Sequence, residues 1–223
     1  MPETSYHFAV ILAGCGNKDG SEIHESVSTL LAIDRAGAKY SCFAPDTLQY
    51  KVLNHITGEP MAEKRNILIE SARIARGNIR NLKEFNADEF DALVMPGGFG
   101  GAALSLCTFG IDGDKMRVNP DLERAVSAMV AQKKPIGALC IAPVILARMI
   151  PNVKITFGQD EETNSKARKM GAVTVNTQHG EIVVDYEHRV VTTPCYMLNA
   201  RISQVYDGAE KLVAEMLSLV TSA

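Results

Sequence analysis

Apolar and polar positions divide the chain into two alternating kinds of segment. Short continuous apolar runs are typical of buried strands, and longer runs with apolar residues three or four apart are typical of helices. The predicted strands are residues 8–13 (FAVILA), 39–45, the start of 90–101, 135–139, 153–158 and 172–176. The predicted helices are residues 21–36, 66–76, 119–134, the run after Cys140, 160–170 and 200–220. Helix-end signals agree with these bounds, since Gly37 and Gly77 close two helices and Asn119 precedes Pro120 at the start of a third.

The order of these segments predicts the fold class. Strands that alternate with helices form α/β structures in which helices cover both faces of a mainly parallel sheet. Residues 181–193 instead alternate like a hairpin that turns at residues 186–188, which adds an antiparallel strand late in the chain. Residues 46–63 are predicted to be an irregular loop. We predict one three-layer α/β sandwich domain that spans residues 1–223.

Composition and charge narrow the class of protein. The 223 residues are 46% hydrophobic and 22% charged, with a formal net charge of −3, so a general nucleic-acid partner is not expected. The start of the chain reads as a first strand rather than a signal peptide, and no apolar run reaches the ~18 residues of a membrane span. The five cysteines are odd in number and show no C-x-x-C pair, so no metal site or disulfide framework is expected. These features favour a reducing cytoplasm.

Four loops that follow predicted strands carry the candidate chemistry. In open α/β sheets, ligands bind at the carboxyl ends of the strands. Residues 14–20, residues 96–101, Cys140 and the segment Thr192-Thr193-Pro194-Cys195 all lie there. We expect them to meet along one edge of the sheet, here called the rim.

Cys140 lies at a sharp predicted turn from strand to helix. A nucleophile elbow needs small residues two positions before and two after the reactive side chain, and Ala138 and Ala142 meet that need. The N-terminus of the following helix would lower the pKa of the thiol and favour the thiolate, with the Ile141 N–H as an oxyanion donor. Pro143 suits the first helical turn. The alternative is an inert buried cysteine at a strand end.

The second glycine loop, Pro96 to Gly101, can turn backbone N–H groups toward an anion. Gly98 could supply a second oxyanion donor. A flexible turn without a binding role is the alternative.

The helix that starts near residue 21 carries several acids. Asp19 or Ser21 is predicted to cap it, and Glu22 fits a capping box, so its role could be purely structural. Glu25 shares a helix face with small residues, and its carboxyl could exchange a proton with a cysteine on the rim. His24 is an alternative base.

The first glycine loop, GCGNKDG at residues 14–20, does not predict a dinucleotide site. Its glycine spacing is one residue longer than G-x-G-x-x-G, and no acid follows at the end of the second strand. No phosphate-binding Walker loop occurs either. We therefore expect no cofactor.

With these residues identified, the chain resembles the ElbB family, known as enhancing lycopene biosynthesis or isoprenoid biosynthesis proteins. This family falls within the PfpI and class I glutamine amidotransferase-like superfamily. The resemblance covers nearly the whole chain. It rests on GCGNKDGSEIHE, CFAPD, RNILIESARIARG, PGGFG, KKPIG, CIAP and VVTTPCYML.

The resemblance implies a flavodoxin-like fold with a catalytic cysteine at Cys140. It implies that Glu25 hydrogen-bonds this thiol and that Gly98 and Ile141 are the oxyanion donors. Members of the superfamily convert methylglyoxal or glyoxal to 2-hydroxy acids without a cofactor, and others act as deglycases, chaperones or peptidases. The resemblance therefore implies a small aldehyde substrate and a homodimer. From their positions after strands or at the start of the helix, the further candidate rim residues are Glu22, His24, Cys15, Thr193 and Cys195.

Two departures from the family pattern affect these expectations. Ile141 stands where protease and hydratase members carry histidine, and His179 is no obvious replacement, which weakens a peptidase or amidotransferase prediction. The segment GGFGGAALSLC lacks the lysine and asparagine of the usual GGFGAAKNLS. Cys107 and Cys195 are unusual places for thiols. The main alternative to a glyoxalase is a non-catalytic domain that senses oxidants through cysteine or binds a partner.

Overall fold

A computed structural model describes residues 6–222 of the chain. The strands are β1 (His7–Ile11), β2 (Lys39–Ala44), β3 (Ile79–Asn81), β4 (Ala92–Met95), β5 (Ile136–Leu139), β6 (Lys154–Ile155), β7 (Val173–Thr174), β8 (Val183–Asp185) and β9 (Val190–Thr193). The α-helices are α1 (Ile23–Arg35), α2 (Ile67–Ile74), α3 (Phe99–Ala102), α4 (Phe109–Asp112), α5 (Pro120–Ala131), α6 (Pro143–Met149), α7 (Glu161–Lys169) and α8 (Ile202–Thr221).

Seven strands form one sheet in the order β3-β2-β1-β4-β5-β9-β8. Every neighbouring pair is parallel except β8 and β9, which form the antiparallel hairpin. Helices flank the sheet, so the prediction of an α/β fold with a flavodoxin-like sandwich is confirmed. This order places β5 in the interior of the sheet, between β4 and β9.

The central strands form the core. Phe8 to Ile11 of β1 and all four residues of β4 are fully buried, as expected for parallel strands covered by helices. Helix α8 packs closely on β5, because a Cβ at Gly137 would lie 2.5 Å from the Met216 sulfur. The glycine therefore lets α8 lie directly against the strand that leads to Cys140.

Helix α1 begins differently from the prediction. Glu22 is its N-cap, and the Glu22 carboxylate accepts a hydrogen bond from the Glu25 N–H at 2.7 Å. Ser21 Oγ instead accepts the Ala13 N–H at 2.7 Å, and Asp19 Oδ2 accepts the Leu53 N–H at 2.8 Å. The prediction of a cap at Asp19 or Ser21 was wrong because both side chains bind neighbouring loops.

Two further differences concern strands. The strands predicted at residues 153–158 and 172–176 form only over Lys154–Ile155 and Val173–Thr174. These two strands, β6 and β7, pair with each other in a second sheet instead of joining the main one. The three residues of β3 were not predicted, because Ile-Arg-Asn shows neither an apolar run nor an alternation. The predicted cap at Asn119 is confirmed, with its side chain accepting the N–H groups of Asp121 and Leu122.

Among residues 6–222, no helix combines the length and apolar character that a membrane crossing requires.

Candidate active site

Cys140 lies in the turn between β5 and α6. Its φ of +58° is left-handed, which is unusual for a residue with a side chain, and this conformation marks the sharp turn predicted for an elbow. The Cys140 N–H donates to the Thr193 carbonyl at 2.9 Å, which continues the pairing of β5 with β9. Ala138 and Ala142 are fully buried around the turn. The small residues thus permit the crowded backbone that the turn requires.

The glycine loop after β4 lies directly against this elbow. A Cβ at Gly97 would lie 2.5 Å from both the Cys140 Cβ and Glu25 Oε2, so only glycine leaves room for the two side chains. Gly98 has a φ of +104°, and a Cβ there would collide with the Gly20 carbonyl oxygen and the Glu22 nitrogen. The two glycine loops are therefore packed backbone to backbone beside the cysteine.

Glu25 projects from the first turn of α1 into this region and is completely buried. Its Oε2 accepts the Gly97 N–H at 3.0 Å, and its Oε1 accepts the Tyr196 N–H at 3.2 Å. Its carboxyl also hydrogen-bonds the Cys140 thiol. The structure thus brings together a carboxyl and a thiol that are 115 positions apart in sequence, counted from 25 to 140.

Burial controls the proton affinity of this pair. Burial, with a smaller contribution from the Glu22 charge, raises the pKa of Glu25 to about 8. Burial also raises the pKa of the Cys140 thiol, and the Glu25 carboxyl adds to that effect. The expectation of a lowered thiol pKa was wrong, because burial outweighs the opposing effect of nearby N–H groups. Thiol and carboxyl therefore both hold protons more tightly than they would in water.

The two predicted oxyanion donors face the thiol. The backbone N–H groups of Gly98 and Ile141 are directed toward the Cys140 thiol, and both lower its pKa. Gly98 comes from the loop after β4 and Ile141 from the elbow itself. If a substrate carbon were bonded to Cys140 Sγ, the oxygen on that carbon would lie near these same N–H groups.

A cavity of about 360 Å³ opens onto Cys140 and Ile141. Phe99, Phe109 and Met197 supply apolar surface, while Asp160, Glu162 and Lys166 bring charge from α7 and the residue before it. None of these six residues was predicted as a site residue, and the highly polar segment 160–170 is the one signal in the sequence that could have pointed to them. Such a size suits a small organic molecule.

The other predicted rim residues separate into two groups. Glu22 caps α1, three residues before Glu25. Burial raises the pKa of the Cys195 thiol, and the charges of Glu25 and Cys140 raise it further, so Cys195 lies near both of them. Thr193 lies beside them, where its carbonyl accepts the Cys140 N–H. Cys15 is set apart, because the charges that act on its thiol come mainly from Glu70 and the arginine beside it on α2.

His24 is exposed, and its Nδ1 lies 2.8 Å from the Tyr196 hydroxyl. Tyr196 was not predicted as a site residue, although its position directly after Cys195 placed it on the rim. Within residues 6–222, no group of three or more His, Cys, Asp or Glu side chains could hold a metal ion.

The sequence profile of the DJ-1/PfpI family matches residues 15–194, a span that contains the elbow, the second glycine loop and all of the first glycine loop except Gly14. The chain belongs to the DJ-1/PfpI family. It is 41% identical to the rat ES1 protein homolog, mitochondrial, over 98% of this chain and 85% of that protein. It is 39% identical to human glutamine amidotransferase-like class 1 domain-containing protein 3, mitochondrial, with the same coverage of 98% and 85%.

Among solved structures, this DJ-1/PfpI protein is similar to an isoprenoid biosynthesis protein with an amidotransferase-like domain from Ehrlichia chaffeensis. The TM-score is 0.88 at 39% identity, over 95% of this chain and 99% of the other. The class I amidotransferase-like superfamily predicted from the sequence is therefore supported. The expectation of a cytoplasmic location is contradicted, because the rat and human relatives are both named mitochondrial.

Proposed function

We propose that this protein is an ElbB-type, cofactor-independent glyoxalase that converts glyoxal or methylglyoxal to the corresponding 2-hydroxy acid. The observation that supports this most is the buried pair of Glu25 and Cys140, set beneath the N–H groups of Gly98 and Ile141 at the end of a small cavity. That arrangement combines a nucleophile, a proton acceptor and oxyanion donors.

The first step forms a bond between Cys140 Sγ and the aldehyde carbon C1. Because the Cys140 thiol holds its proton, the Glu25 carboxylate accepts that proton as the sulfur attacks. The Gly98 and Ile141 N–H groups stabilise the negative charge on the aldehyde oxygen, which then takes the proton from Glu25. The product of this step is a thiohemiacetal, and Glu25 is again a carboxylate.

The second step moves a proton between two carbons. Glu25 removes the hydrogen from C1, which gives an enediolate, and returns it to C2. The proton on the C1 oxygen passes to the C2 oxygen, which leaves a 2-hydroxy thioester on Cys140. Water then cleaves the thioester and releases the acid and the thiol. A carboxyl whose pKa of about 8 lies near neutrality can both accept and donate a proton at working pH.

The substrate class follows from this chemistry. A proton can move from C1 to C2 only if both carbons carry oxygen, so a simple monoaldehyde would stop at the thiohemiacetal. The resemblance to ElbB proteins and the name of the Ehrlichia neighbour suggest a place in isoprenoid metabolism, which we include in the proposal as context for the activity.

Measuring the conversion of glyoxal to glycolate tests the proposal directly. Cys140→Ala should reduce turnover by about 10³-fold or more, as loss of a catalytic nucleophile does in other enzymes. Cys195→Ala is the matched control, because it removes a second buried thiol beside Glu25 and should keep most of the activity.

Equal turnover by the wild type and Cys140→Ala would contradict the glyoxalase proposal. If peroxide then oxidised Cys140 selectively in a protein that turns over no dicarbonyl, the redox-sensing alternative would be favoured.

A further inference from the structure

Tyr196 forms hydrogen bonds with two successive residues at the start of α1, His24 and Glu25. Its backbone N–H donates to Glu25 Oε1 at 3.2 Å, and its hydroxyl lies 2.8 Å from Nδ1 of His24. The two rings are tilted, with centroids 5.9 Å apart. The segment that follows β9 is thereby held against the helix that carries Glu25.

Tyr196 contributes to the lining of two cavities. It lines the cavity that contains Cys140, and it also lines a neighbouring cavity of about 500 Å³ that contains Glu22 and His24. Because His24 is exposed, the hydrogen bond between its ring and Tyr196 connects the wall of the Cys140 cavity with solvent.

The proposed reaction has two oxygen atoms to stabilise, and Gly98 and Ile141 are assigned to the one on C1. The remaining oxygen, on C2, becomes negatively charged when the C1 proton leaves, and it also needs a donor. The residue directly after the cysteine is Ile141, whose side chain has no proton to donate to that oxygen.

Most other ionisable groups on the described wall of the Cys140 cavity already have partners. Lys166 Nζ lies 2.6 Å from Glu162 Oε1, and Asp160 Oδ2 accepts the Thr163 hydroxyl at 2.6 Å. The Tyr196 hydroxyl differs, because its partner His24 lies on the other side, in the neighbouring cavity. An oxygen that accepts from an imidazole N–H can still donate its own proton into the Cys140 cavity.

We infer that Tyr196 is the proton donor to the C2 oxygen and that His24 is the residue that positions it, an inference that rests on the proposed function. As Glu25 removes the C1 hydrogen, the C2 carbonyl pair moves to oxygen and takes the Tyr196 proton. The phenolate regains a proton from the C1 hydroxyl as that group becomes the thioester carbonyl. His24 Nδ1–H holds the phenolate in the interval.

The experiment compares two reactions of Cys140 in Tyr196→Phe. Glyoxal turnover requires the C2 oxygen, whereas alkylation by iodoacetamide requires only the thiol. Turnover should fall by about 10²-fold or more, while the alkylation rate stays within about twofold of wild type. Tyr186→Phe is the matched control, because that tyrosine is 70% exposed on the hairpin turn and should change neither rate.

Variants of His24 test the positioning role. His24→Leu should lower turnover about tenfold by removing one hydrogen bond to the tyrosine. His24→Asn, whose amide can occupy the place of Nδ1, should recover most of that loss. If His24 only supported the fold, His24→Asn would not be expected to recover the activity that His24→Leu loses.

The failures can be told apart. If wild-type protein turns over glyoxal no faster than Cys140→Ala, the proposed function fails and this inference falls with it. If wild type is active and Tyr196→Phe is equally active, only the inference is overturned. A parallel loss of turnover and alkylation in Tyr196→Phe would also overturn it, because the tyrosine would then merely support the fold.

Discussion

Cys140 and Cys195 occupy similar positions at the ends of neighbouring strands, yet their surroundings differ. Both side chains are buried, both residues have left-handed φ angles (+58° and +42°), and the Glu25 charge raises the pKa of both thiols. Cys140 precedes α6, and two backbone N–H groups lower the pKa of its thiol, whereas for Cys195 the lowering contribution comes from the Thr193 side chain.

This comparison shows what a strained turn and burial contribute by themselves. Left-handed backbone at a residue with a side chain costs roughly 1–2 kcal/mol, and burial opposes ionisation, so neither feature activates a thiol. The difference lies in donors from a second loop, since the Gly98 N–H reaches Cys140 from beyond β4. Reactivity at this site should therefore depend on the contact between loops more than on the cysteine's own turn.

Among the changes that would test this difference in N–H donors between Cys140 and Cys195, Gly98→Ala is expected to have the largest effect. The new Cβ would collide with backbone atoms of the first glycine loop, so the Gly98 N–H would move away from Cys140. Because loss of one oxyanion donor costs about 10²–10³-fold in turnover, we expect a decrease of that size. The assay is glyoxal turnover, normalised to the amount of folded protein by circular dichroism.

Gly77→Ala is the matched control for that variant. Gly77 has a comparable φ of +83°, but a Cβ there meets nothing within 4 Å. It should lose about 1 kcal/mol of stability and keep its activity. Full activity in Gly98→Ala would show that this loop contributes no donor.

A smaller effect is expected in the alkylation rates of the two cysteines themselves. At pH 8, iodoacetamide should modify Cys140 at least about tenfold faster than Cys195, because only the Cys140 thiolate receives two N–H donors. Peptide mass analysis over time measures both rates in one sample. Cys42 provides an internal slow standard, since burial raises the pKa of its thiol to about 12. Equal alkylation rates at Cys140 and Cys195 would show that the two N–H groups do not make Cys140 more reactive than Cys195.

The last effect concerns stability instead of reactivity and comes from Glu25, whose charge acts on both thiols. Its pKa is raised from 4.5 to about 8 in the folded state, so the folded protein binds a proton that the unfolded chain releases. The free energy of unfolding should therefore fall as pH rises from about 5 to 8, by roughly 1 kcal/mol per pH unit.

Urea unfolding of Glu25→Gln at several pH values checks this slope. The variant lacks the titrating group, so its stability should decline less steeply than that of wild type over the same range. Cys195→Ala is the control and should retain the wild-type slope. Parallel curves for wild type and Glu25→Gln would mean that Glu25 titrates normally.

Much of this architecture could be predicted because local signals agreed with the tertiary structure. The apolar run at residues 8–13, the Asn119 cap and the alanines around Cys140 each depend on features that a few adjacent residues determine. The meeting of Glu25 with Cys140 was expected from the family resemblance and from the rule that strand ends share one edge of a sheet.

Three of the wrong predictions involve contacts between distant segments. Asp19 resembled a helix cap but instead binds the Leu53 N–H in a loop that no local pattern connects to it. The raised pKa of the Cys140 thiol depends on how deeply it is buried, which helix-dipole reasoning could not include. Cys15 lies in the loop after β1, as predicted, but the charges that act on it come mainly from α2, and it does not line the cavity that contains Cys140.

The interior position of β5 has a consequence for how the site opens. Hydrogen bonds to β4 and β9 flank the strand on both sides, and the Cys140 amide itself is one of those donors. Swinging the cysteine outward would break the most protected part of the sheet, at a cost close to that of global unfolding. We therefore expect the Cys140 backbone to stay in place during catalysis, so that motions that admit a molecule occur in the segments that cover the cavity.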